Sequence, residues 1–256
     1  MPYAENQGVR VHYQVEGNGP PLLLQHGFMQ SVEDWFETGY VDALKGHHQV
    51  ILVDARGHGR SDKPHDFAAY RLEHRVGDLV AVLDEMGVEK AAFWGYSMGG
   101  WIGFGIVEYA AERFDRLVIG GASPYAKSQQ SWRDLIGSAI AEGGHGTFIP
   151  IFEQMIGTIL PSWRARLLNA DLKAFLGAGG EDRESHESVL TRIVVPSFIY
   201  SGDADPRFAE AKAAADTIQV AMFLSLPGLN HLEGFVRSDL VLPAVAEFLR
   251  RSSRRP

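Results

Sequence analysis

The stretch Lys90–Arg113, KAAFWGYSMGGWIGFGIVEYAAER, decides the fold of this 256-residue chain. Its first part, Ala91 to Trp94, is a continuous apolar run of the kind found in strands that are buried on both faces. Glycines then interrupt the run, and apolar residues return at helical spacing at Ile102, Ile106 and Ala110. The pattern predicts a strand, a sharp turn and a helix.

The predicted turn is Gly95-Tyr96-Ser97-Met98-Gly99, which matches the pattern G-x-S-x-G. In a strand-to-helix turn of this kind the serine occupies a strained bend, and the glycines allow neighbouring backbone to approach closely. The Ser97 hydroxyl would then project where a base and a substrate could reach it. Because the chain contains 28 glycines, a packing turn with an incidental serine is the alternative, and other motifs must decide.

The composition favours one α/β domain with an insertion. With 45% hydrophobic and 22% charged residues, the chain is long enough for one sizeable core. A net charge of -8, from 24 Lys and Arg against 32 Asp and Glu, argues against nucleic-acid binding. The basic cluster from Arg250 to Pro256 is expected to be the solvated end of a helix. The absence of cysteine excludes a thiol nucleophile, disulfides and thiolate metal sites.

Neither a targeting signal nor a cofactor motif is found in the sequence. Residues Met1 to Asn6 lack the charged and apolar regions of a signal peptide, and no apolar run approaches the ~20 residues of a membrane span. No H-E-x-x-H or similar spacing indicates a metal. We therefore expect a cytoplasmic protein without a cofactor that acts on a small molecule. Nucleic-acid and membrane partners are not expected, and the oligomeric state is left open.

Predicted strands alternate with helical stretches along most of the chain, which indicates a doubly wound, mostly parallel α/β sheet. Val9–Glu16 alternates apolar and polar residues and is predicted to be an antiparallel edge strand. Leu72 to Met86 is predicted to be an amphipathic helix. Further buried strands are predicted at residues 21–25, 50–53, 116–121, 196–200 and 221–226. Such sheets carry their functional loops at the carboxyl ends of strands.

One long segment, from Ser123 to about Thr191, interrupts the alternation with short predicted helices and no clear strand. An insertion of this length between two sheet strands would cover the carboxyl edge as a cap. We therefore divide the chain into a core of residues 1–123 and 192–256 and a helical cap of residues 124–191. Some apolar cap residues would line a pocket. The candidates are Trp132, Phe152, Met155 and Trp163.

Two loops late in the chain contain possible partners for the serine. A serine hydroxyl is a poor nucleophile at neutral pH, so it needs an imidazole to take its proton and a carboxylate to orient that imidazole. The loop after Tyr200 contains Asp203 and Asp205, and the loop after the last predicted strand contains His231. Both loops follow the carboxyl ends of strands, at the same edge of the sheet as Ser97. The order serine, aspartate, histidine is typical of α/β-hydrolases.

Five motifs therefore occur in order at predicted strand ends. They are His26-Gly27-Phe28, Asp54 to Ser61 in the pattern D-x-R-G-x-G-x-S, the G-x-S-x-G turn, Gly202-x-x-Asp205 and Gly228-x-x-His231. On these motifs the chain resembles the α/β-hydrolase fold superfamily, in the capped branch with small esterases, lactonases and cofactor-free perhydrolases. The resemblance covers nearly the whole chain except the cap, and it implies the α/β-hydrolase fold.

The resemblance also implies roles for the candidate residues. Ser97 corresponds to the nucleophile and His231 to the general base and acid. Asp205 corresponds to the orienting carboxylate, because the family's acid usually stands three residues after the glycine that here is Gly202. Asp203 is the competing acid, expected instead to cap or brace the loop.

The same resemblance assigns the oxyanion hole to backbone N–H groups of Phe28 and Met98. His26 and His58 are expected to hydrogen-bond the loops that shape this side of the site. Phe28 and Met98 are also expected at the pocket edge, with Trp94 or Tyr96; Trp94 has the core as its expected home.

The predicted function is that of a serine carboxylesterase that cleaves small to medium, largely uncharged esters through an acyl-enzyme. Arginines at 133, 164 and 166 would overturn the preference for uncharged substrates if they faced the pocket. A lactonase is the alternative, and carbon–carbon bond hydrolases and perhydrolases use the same triad. Perhydrolases of this branch usually carry Trp where this chain has Phe28, which disfavours them. A hydrolase-like receptor is the non-enzymatic alternative.

Overall fold

An eight-stranded sheet lies at the centre of the computed structural model, which describes residues 2–157 and 159–250. The strands are β1 (Tyr3–Asn6), β2 (Val9–Glu16), β3 (Pro21–Gln25), β4 (Gln49–Val53), β5 (Ala91–Tyr96), β6 (Phe114–Gly120), β7 (Ser197–Gly202) and β8 (Ala221–Leu226). Their order in the sheet is β1-β2-β4-β3-β5-β6-β7-β8. The pairs β1–β2 and β2–β4 are antiparallel and all others are parallel. The predicted mostly parallel α/β sheet is therefore confirmed.

Eleven α-helices are seen in the described residues. They are α1 (Val32–Glu37), α2 (Tyr40–Leu44), α3 (Leu72–Glu85), α4 (Met98–Tyr109), α5 (Gln130–Glu142), α6 (His145–Ile156), α7 (Pro161–Leu167), α8 (Leu172–Gly180), α9 (Phe208–Thr217), α10 (Glu233–Val236) and α11 (Ser238–Arg250). Short 3-10 helices occur at Phe67–Tyr70, Ala111–Arg113 and Glu187–Arg192. The basic cluster beyond Arg250 lies outside the described residues. No helix of the described chain combines the length and apolar character required to cross a membrane.

The continuous apolar strands are explained by cores on both faces of the sheet. In β3, Leu23 packs into a cluster with residues of α3 and α4, whereas Leu22 and Leu24 pack into a second cluster with residues of α1, α2 and α11. Successive side chains of a strand point to opposite faces, so a strand covered on both sides must be apolar throughout.

The two edges of the sheet differ from the sequence prediction. Val9–Glu16 pairs with strands on both sides, so β2 is not an edge strand. The edge is β1, four residues whose exposed and buried positions give too short an alternation to be recognised. At the other edge β8 is largely part-exposed, since in the described structure it pairs only with β7. The strand predicted at 221–226 is therefore present, but the prediction that it is buried was wrong.

Helices α5 to α8 lie between β6 and β7 in the chain and form a separate apolar cluster. This cluster includes Phe148, Phe152 and Phe175 from the helices and Met29 from the loop after β3. One isolated antiparallel bridge, between Lys127 and Arg183, joins the two ends of this segment. We call the segment between β6 and β7 the insertion.

The parallel strands bring several polar loops to one edge of the sheet. His26 follows β3, Asp54 follows β4, Ser97 follows β5, Asp205 lies in the loop after β7 and His231 in the loop after β8. Because β3 has β4 on one side and β5 on the other, the strand order reverses at β3. Loops diverge at such a point and leave a crevice, which is where ligands bind in open α/β sheets.

Candidate active site

Ser97 lies in the tight turn between β5 and α4. Its backbone has φ 53° and ψ -109°, a left-handed conformation that is rare for a residue with a side chain. The Ser97 N–H donates to the carbonyl of Gly120 at 2.8 Å, which ties the turn to β6. The strained bend holds the Ser97 hydroxyl at the top of the sheet, directly before the first turn of α4.

A continuous hydrogen-bonded chain runs from Ser97 through His231 to Asp205. His231 Nε2 lies 2.9 Å from Ser97 Oγ, and His231 Nδ1 lies 2.5 Å from Asp205 Oδ2. A carboxylate only accepts, so the Nδ1–H donates to Asp205 and the Nε2 lone pair faces the serine. Tyr96 adds a further restraint, because its hydroxyl donates to the His231 carbonyl at 2.5 Å. The arrangement allows His231 to accept the proton of Ser97.

The electrostatics of this pair keep the imidazole neutral and the carboxyl charged. Burial lowers the pKa of His231, the hydrogen bond to Asp205 opposes this, and the charge of Arg207 lowers it further. Burial acts to raise the pKa of Asp205, but the hydrogen bond and charge of His231 and the nearby Arg207 hold it below its usual value. A neutral imidazole beside an ionised carboxylate is the starting state for general-base catalysis.

Asp203, the competing acid, has a different contact. Its Oδ1 accepts from the N–H of Gly228 at 2.7 Å, so it braces the loop that leads to His231. Its side chain is exposed, whereas Asp205 is buried and also accepts from the Arg207 N–H at 2.9 Å. The structure thus brings Asp205, and not Asp203, onto the imidazole.

The loop after β3 is held by hydrogen bonds that orient the peptide before Phe28. The carbonyl of Gly27 accepts from His26 Nδ1 at 2.7 Å and from the Gln30 N–H at 3.3 Å. His26 Nε2 in turn accepts from the Ala55 N–H at 3.0 Å, which fixes its tautomer. In a trans peptide the next N–H points opposite to the carbonyl, so that of Phe28 is directed away from these donors.

Gly27 lies beside the serine, since a Cβ added to it would be 3.3 Å from Ser97 Cβ. Within the described chain, the N–H groups of Phe28 and Met98 donate to no other residue. Met98 also begins α4, whose N-terminus favours a developing negative charge. Both amides are therefore available to an oxyanion.

A cavity of about 610 Å³ opens above Ser97 and His231. The four pocket candidates from the insertion all line it: Trp132, Phe152, Met155 and Trp163. Phe28 and Tyr96 also line it, but Met98 does not, because its side chain is fully buried and its Sδ accepts from Arg75 at 3.2 Å. Trp94 is buried in the core, where its Nε1 donates to the Tyr200 hydroxyl at 3.1 Å.

Three basic residues that the sequence analysis did not single out also line this cavity. They are Lys127, Arg183 and Arg207. The arginines considered from the sequence do not face it: each is ion-paired elsewhere, Arg133 with Asp182, Arg164 with Glu153 and Arg166 with Glu37. No periodicity marks the three cations, which come together only through folding. In residues 2–157 and 159–250, no group of His, Cys, Asp or Glu could hold a metal ion.

Comparison with known proteins gives the same fold along nearly the full chain. A family model described as the alpha/beta hydrolase fold matches residues 20–169. The enol-lactonase from Burkholderia xenovorans LB400 has a similar structure, with a TM-score of 0.85 and 25% identity over 98% of this chain and 100% of that one.

Two curated relatives differ in how much of the chain they match. A cis-3-alkyl-4-alkyloxetan-2-one decarboxylase from Shewanella oneidensis is 38% identical over 119 residues, which are 46% of this chain and only 37% of that protein. A non-heme haloperoxidase from Rhodococcus erythropolis is 25% identical over 97% of this chain and 99% of that protein. The family model matches more than half of the residues, and the strand order is that of the fold it describes. The chain therefore belongs to the alpha/beta hydrolase fold family.

Proposed function

We propose that this protein is a serine hydrolase that cleaves carboxylic esters through an acyl-enzyme intermediate. The observation that carries the proposal is the hydrogen-bonded chain Ser97–His231–Asp205 at the floor of a largely apolar cavity. Ser97 is the nucleophile, His231 the general base and then acid, and Asp205 the carboxylate that sets the tautomer of His231.

In the first half-reaction, the Ser97 Oγ–H bond breaks and its proton moves to His231 Nε2. The Oγ atom bonds to the ester carbonyl carbon, and the resulting oxyanion accepts hydrogen bonds from the Phe28 and Met98 N–H groups. The bond to the leaving alcohol then breaks, and the alcohol takes the proton from His231. Water repeats the sequence on the acyl-enzyme, which releases the carboxylic acid and restores Ser97.

We further propose that residues 124–191 act as a cap over this site. The insertion supplies Trp132, Phe152, Met155 and Trp163 to the cavity wall, opposite the loops of the core. Trp163 also anchors the insertion, because its Nε1 donates to the Met29 carbonyl at 2.7 Å. A wall of aromatic rings would bind an apolar part of the substrate and exclude water from the acyl-enzyme.

A lactonase is the second candidate, and the similarity to the enol-lactonase structure over nearly the full length of both chains favours it. A lactone is a cyclic ester, so the same triad would open it. The substrates of the two activities differ in how their acid and alcohol portions are connected. In a lactone the two portions are joined in one ring, whereas an open ester releases them as separate molecules. The substrate test therefore includes both.

The first experiment measures hydrolysis of p-nitrophenyl esters from acetate to decanoate, together with a set of lactones. We expect turnover that falls by on the order of 10⁶ in kcat in the Ser97→Ala protein, because the nucleophile is lost. The matched control is Ser185→Ala, at an exposed serine within the insertion. Undiminished ester hydrolysis in Ser97→Ala would contradict the proposal, and a preference for lactones would select the second candidate.

A further inference from the structure

Two of the cations that line the cavity, Lys127 and Arg183, lie side by side because the two ends of the insertion pair with each other. Lys127 and Arg183 face each other across the isolated antiparallel bridge. The Lys127 N–H donates to the Arg183 carbonyl at 2.9 Å, and the Arg183 N–H donates back to the Lys127 carbonyl at 3.0 Å. Residues paired in this way carry their side chains on the same face, with Cβ atoms about 5 Å apart. Like charges directly opposite each other destabilise such a pair.

Arg183 has no carboxylate partner within the described chain. Its guanidinium lies over the Trp101 ring, 4.6 Å from the ring centroid, and this contact leaves its N–H groups free to bind an acceptor. Burial, together with the neighbouring cations Arg75 and Arg207, lowers the pKa of Arg183 to about 9. The group is therefore still charged at neutral pH, among other positive charges.

The Lys127 ammonium group likewise forms no ion pair with a carboxylate in the described structure. Burial lowers its pKa, as do Arg207 and Arg183, and the charge of Glu210 opposes them without forming an ion pair in the described structure. The Glu210 carboxylate is instead held by the Ser123 hydroxyl, which donates to it at 2.6 Å.

Arg207 is the third cation, and its one acidic partner among the described residues belongs to the proposed triad. Its Nη1 lies 3.6 Å from Asp205 Oδ1, a long contact that leaves other N–H groups of the guanidinium available. Asp205 is already engaged by His231 at 2.5 Å. The net charge at this side of the cavity is therefore positive.

Three other arginines of the insertion differ from Arg183 in that they are ion-paired. The arginines at 133, 164 and 166 lie outside the cavity, and each has a carboxylate at 3.4 Å or closer: Arg133 with Asp182, Arg164 with Glu153 and Arg166 with Glu37. The chain carries an excess of acidic residues, so partners for cations are abundant. Within the described residues, Lys127 and Arg183 differ from these three arginines, because they line the cavity and form no ion pair with a carboxylate.

We propose that Lys127, Arg183 and Arg207 form an anion subsite that binds a free carboxylate of the substrate. This inference rests on the proposed function and narrows it: the preferred substrate is an ester or lactone that also bears a carboxylate. Guanidinium groups suit a carboxylate because their planar donors match its two oxygens. The aromatic wall formed by Trp132, Phe152 and Trp163 takes the apolar portion. This proposal replaces the expectation of a largely uncharged substrate with that of a substrate that carries one carboxylate.

The test compares mono-p-nitrophenyl glutarate with its methyl-capped diester, p-nitrophenyl methyl glutarate. The rate in the Ser97→Ala protein is subtracted for each ester, because the free carboxylate can attack its own ester without the enzyme. We expect kcat/KM for the free acid to exceed that for the capped ester by roughly 10- to 100-fold, mainly through KM, since a hydrogen bond to a charged group has that strength. Arg183→Met should remove most of this ratio, and Lys127→Met should reduce it. Arg164→Met is the control, with the ratio unchanged. Added salt should also lower the ratio.

The outcomes separate the subsite from the proposed function. Ser97-dependent hydrolysis with no preference for the free acid would overturn the anion subsite and leave the hydrolase intact. If neither ester is turned over, nor any member of the ester and lactone series, the hydrolase proposal fails, and calorimetric titration of glutarate into the protein decides the subsite. Glutarate binding that is lost in both Arg183→Met and Lys127→Met supports it, and absence of binding to the unsubstituted protein overturns it.

Discussion

Two aspartates, only two residues apart in one loop, have different roles in this site. Asp205 is buried and accepts the His231 Nδ1–H at 2.5 Å, whereas Asp203 is exposed and accepts the Gly228 N–H at 2.7 Å. Residue type could not distinguish them, because both are carboxylates in the same loop. The turn of the loop distinguishes them, since it directs one carboxylate inward and the other along the neighbouring loop.

We expect Asp205→Asn to lower kcat by on the order of 10⁴, the size of effect found where an aspartate of a serine triad is replaced, because the amide favours the wrong tautomer of the imidazole. Asp203→Asn should have little effect, since its amide oxygen still accepts from the Gly228 N–H. Steady-state kinetics of both variants on one p-nitrophenyl ester make the comparison. A larger loss in Asp203→Asn would move the orienting role to Asp203.

The turn between β5 and α4 requires glycine for steric reasons. A Cβ on Gly95 would lie 2.2 Å from the Gly99 carbonyl oxygen, and a Cβ on Gly99 would lie 2.1 Å from the Gln25 carbonyl oxygen at the end of β3. Both obstacles are backbone atoms that cannot rotate away. Close packing of α4 against the sheet therefore depends on both glycines, and the position of Ser97 depends on this packing.

Gly99→Ala should destabilise the fold by about 1 to 3 kcal/mol, or more if the sheet does not relax, because the methyl group overpacks a closed contact. Ester hydrolysis should also fall, since α4 must shift and carry the Met98 amide with it. The control is Gly137→Ala in α5, where an added Cβ meets nothing within 4 Å and should be neutral or stabilising by up to about 1 kcal/mol. Urea unfolding measures both variants. Equal stability of the two would contradict the steric argument.

The sequence predicted well those elements whose pattern is local. Apolar runs predicted the central strands, because both faces of the sheet are covered, and the G-x-S-x-G turn predicted the strand-turn-helix at Ser97. Strand β1 was missed, since Tyr3–Asn6 is only four residues long and its edge position depends on pairing with β2. The side chains of β8 are more exposed than its apolar sequence suggests, because no strand of the described chain pairs with its outer edge.

The residues at the centre of the site could be predicted from the sequence, but the cations that line its cavity could not. Motif spacing brought Ser97, Asp205 and His231 together as candidates, but nothing local marked the cations of the cavity. Lys127 and Arg183 are adjacent only because of a bridge between distant parts of the chain. Such a pairing depends on how the insertion folds back on itself, which short-range sequence patterns do not encode.

Buried polar groups connect the loops at the carboxyl edge of the sheet to other elements of the molecule. Arg56 and Asp78 form a fully buried ion pair at 2.6 Å that joins the loop after β4 to α3. Asp54 accepts from the Val32 N–H at 2.9 Å and from His12 at 2.8 Å, and although burial opposes it, these hydrogen bonds lower the pKa of Asp54 to about 2. Breaking such contacts leaves polar groups unsatisfied, so these loops are held as a unit.

Buried histidines in the same loops should make the fold sensitive to mild acid. Burial lowers the pKa of His58 well below its usual value. In the unfolded chain His58 binds a proton below about pH 6.5, but in the folded chain it stays neutral. The unfolded state therefore binds more protons, so stability is fully present above pH 6.5 and declines as the pH falls below it.

We expect His58→Asn to reduce this acid sensitivity. Between pH 7.5 and 5.0 the buried imidazole should account for up to about 2 kcal/mol of lost stability, and the variant should not show this loss. An asparagine amide could still donate to the Arg56 carbonyl, which accepts from His58 Nδ1 at 3.1 Å. Urea unfolding at both pH values gives the difference for each protein, with the half-exposed His65→Asn as control. If the difference is the same in all three proteins, the acid sensitivity arises elsewhere and the neutral state of His58 does not set it.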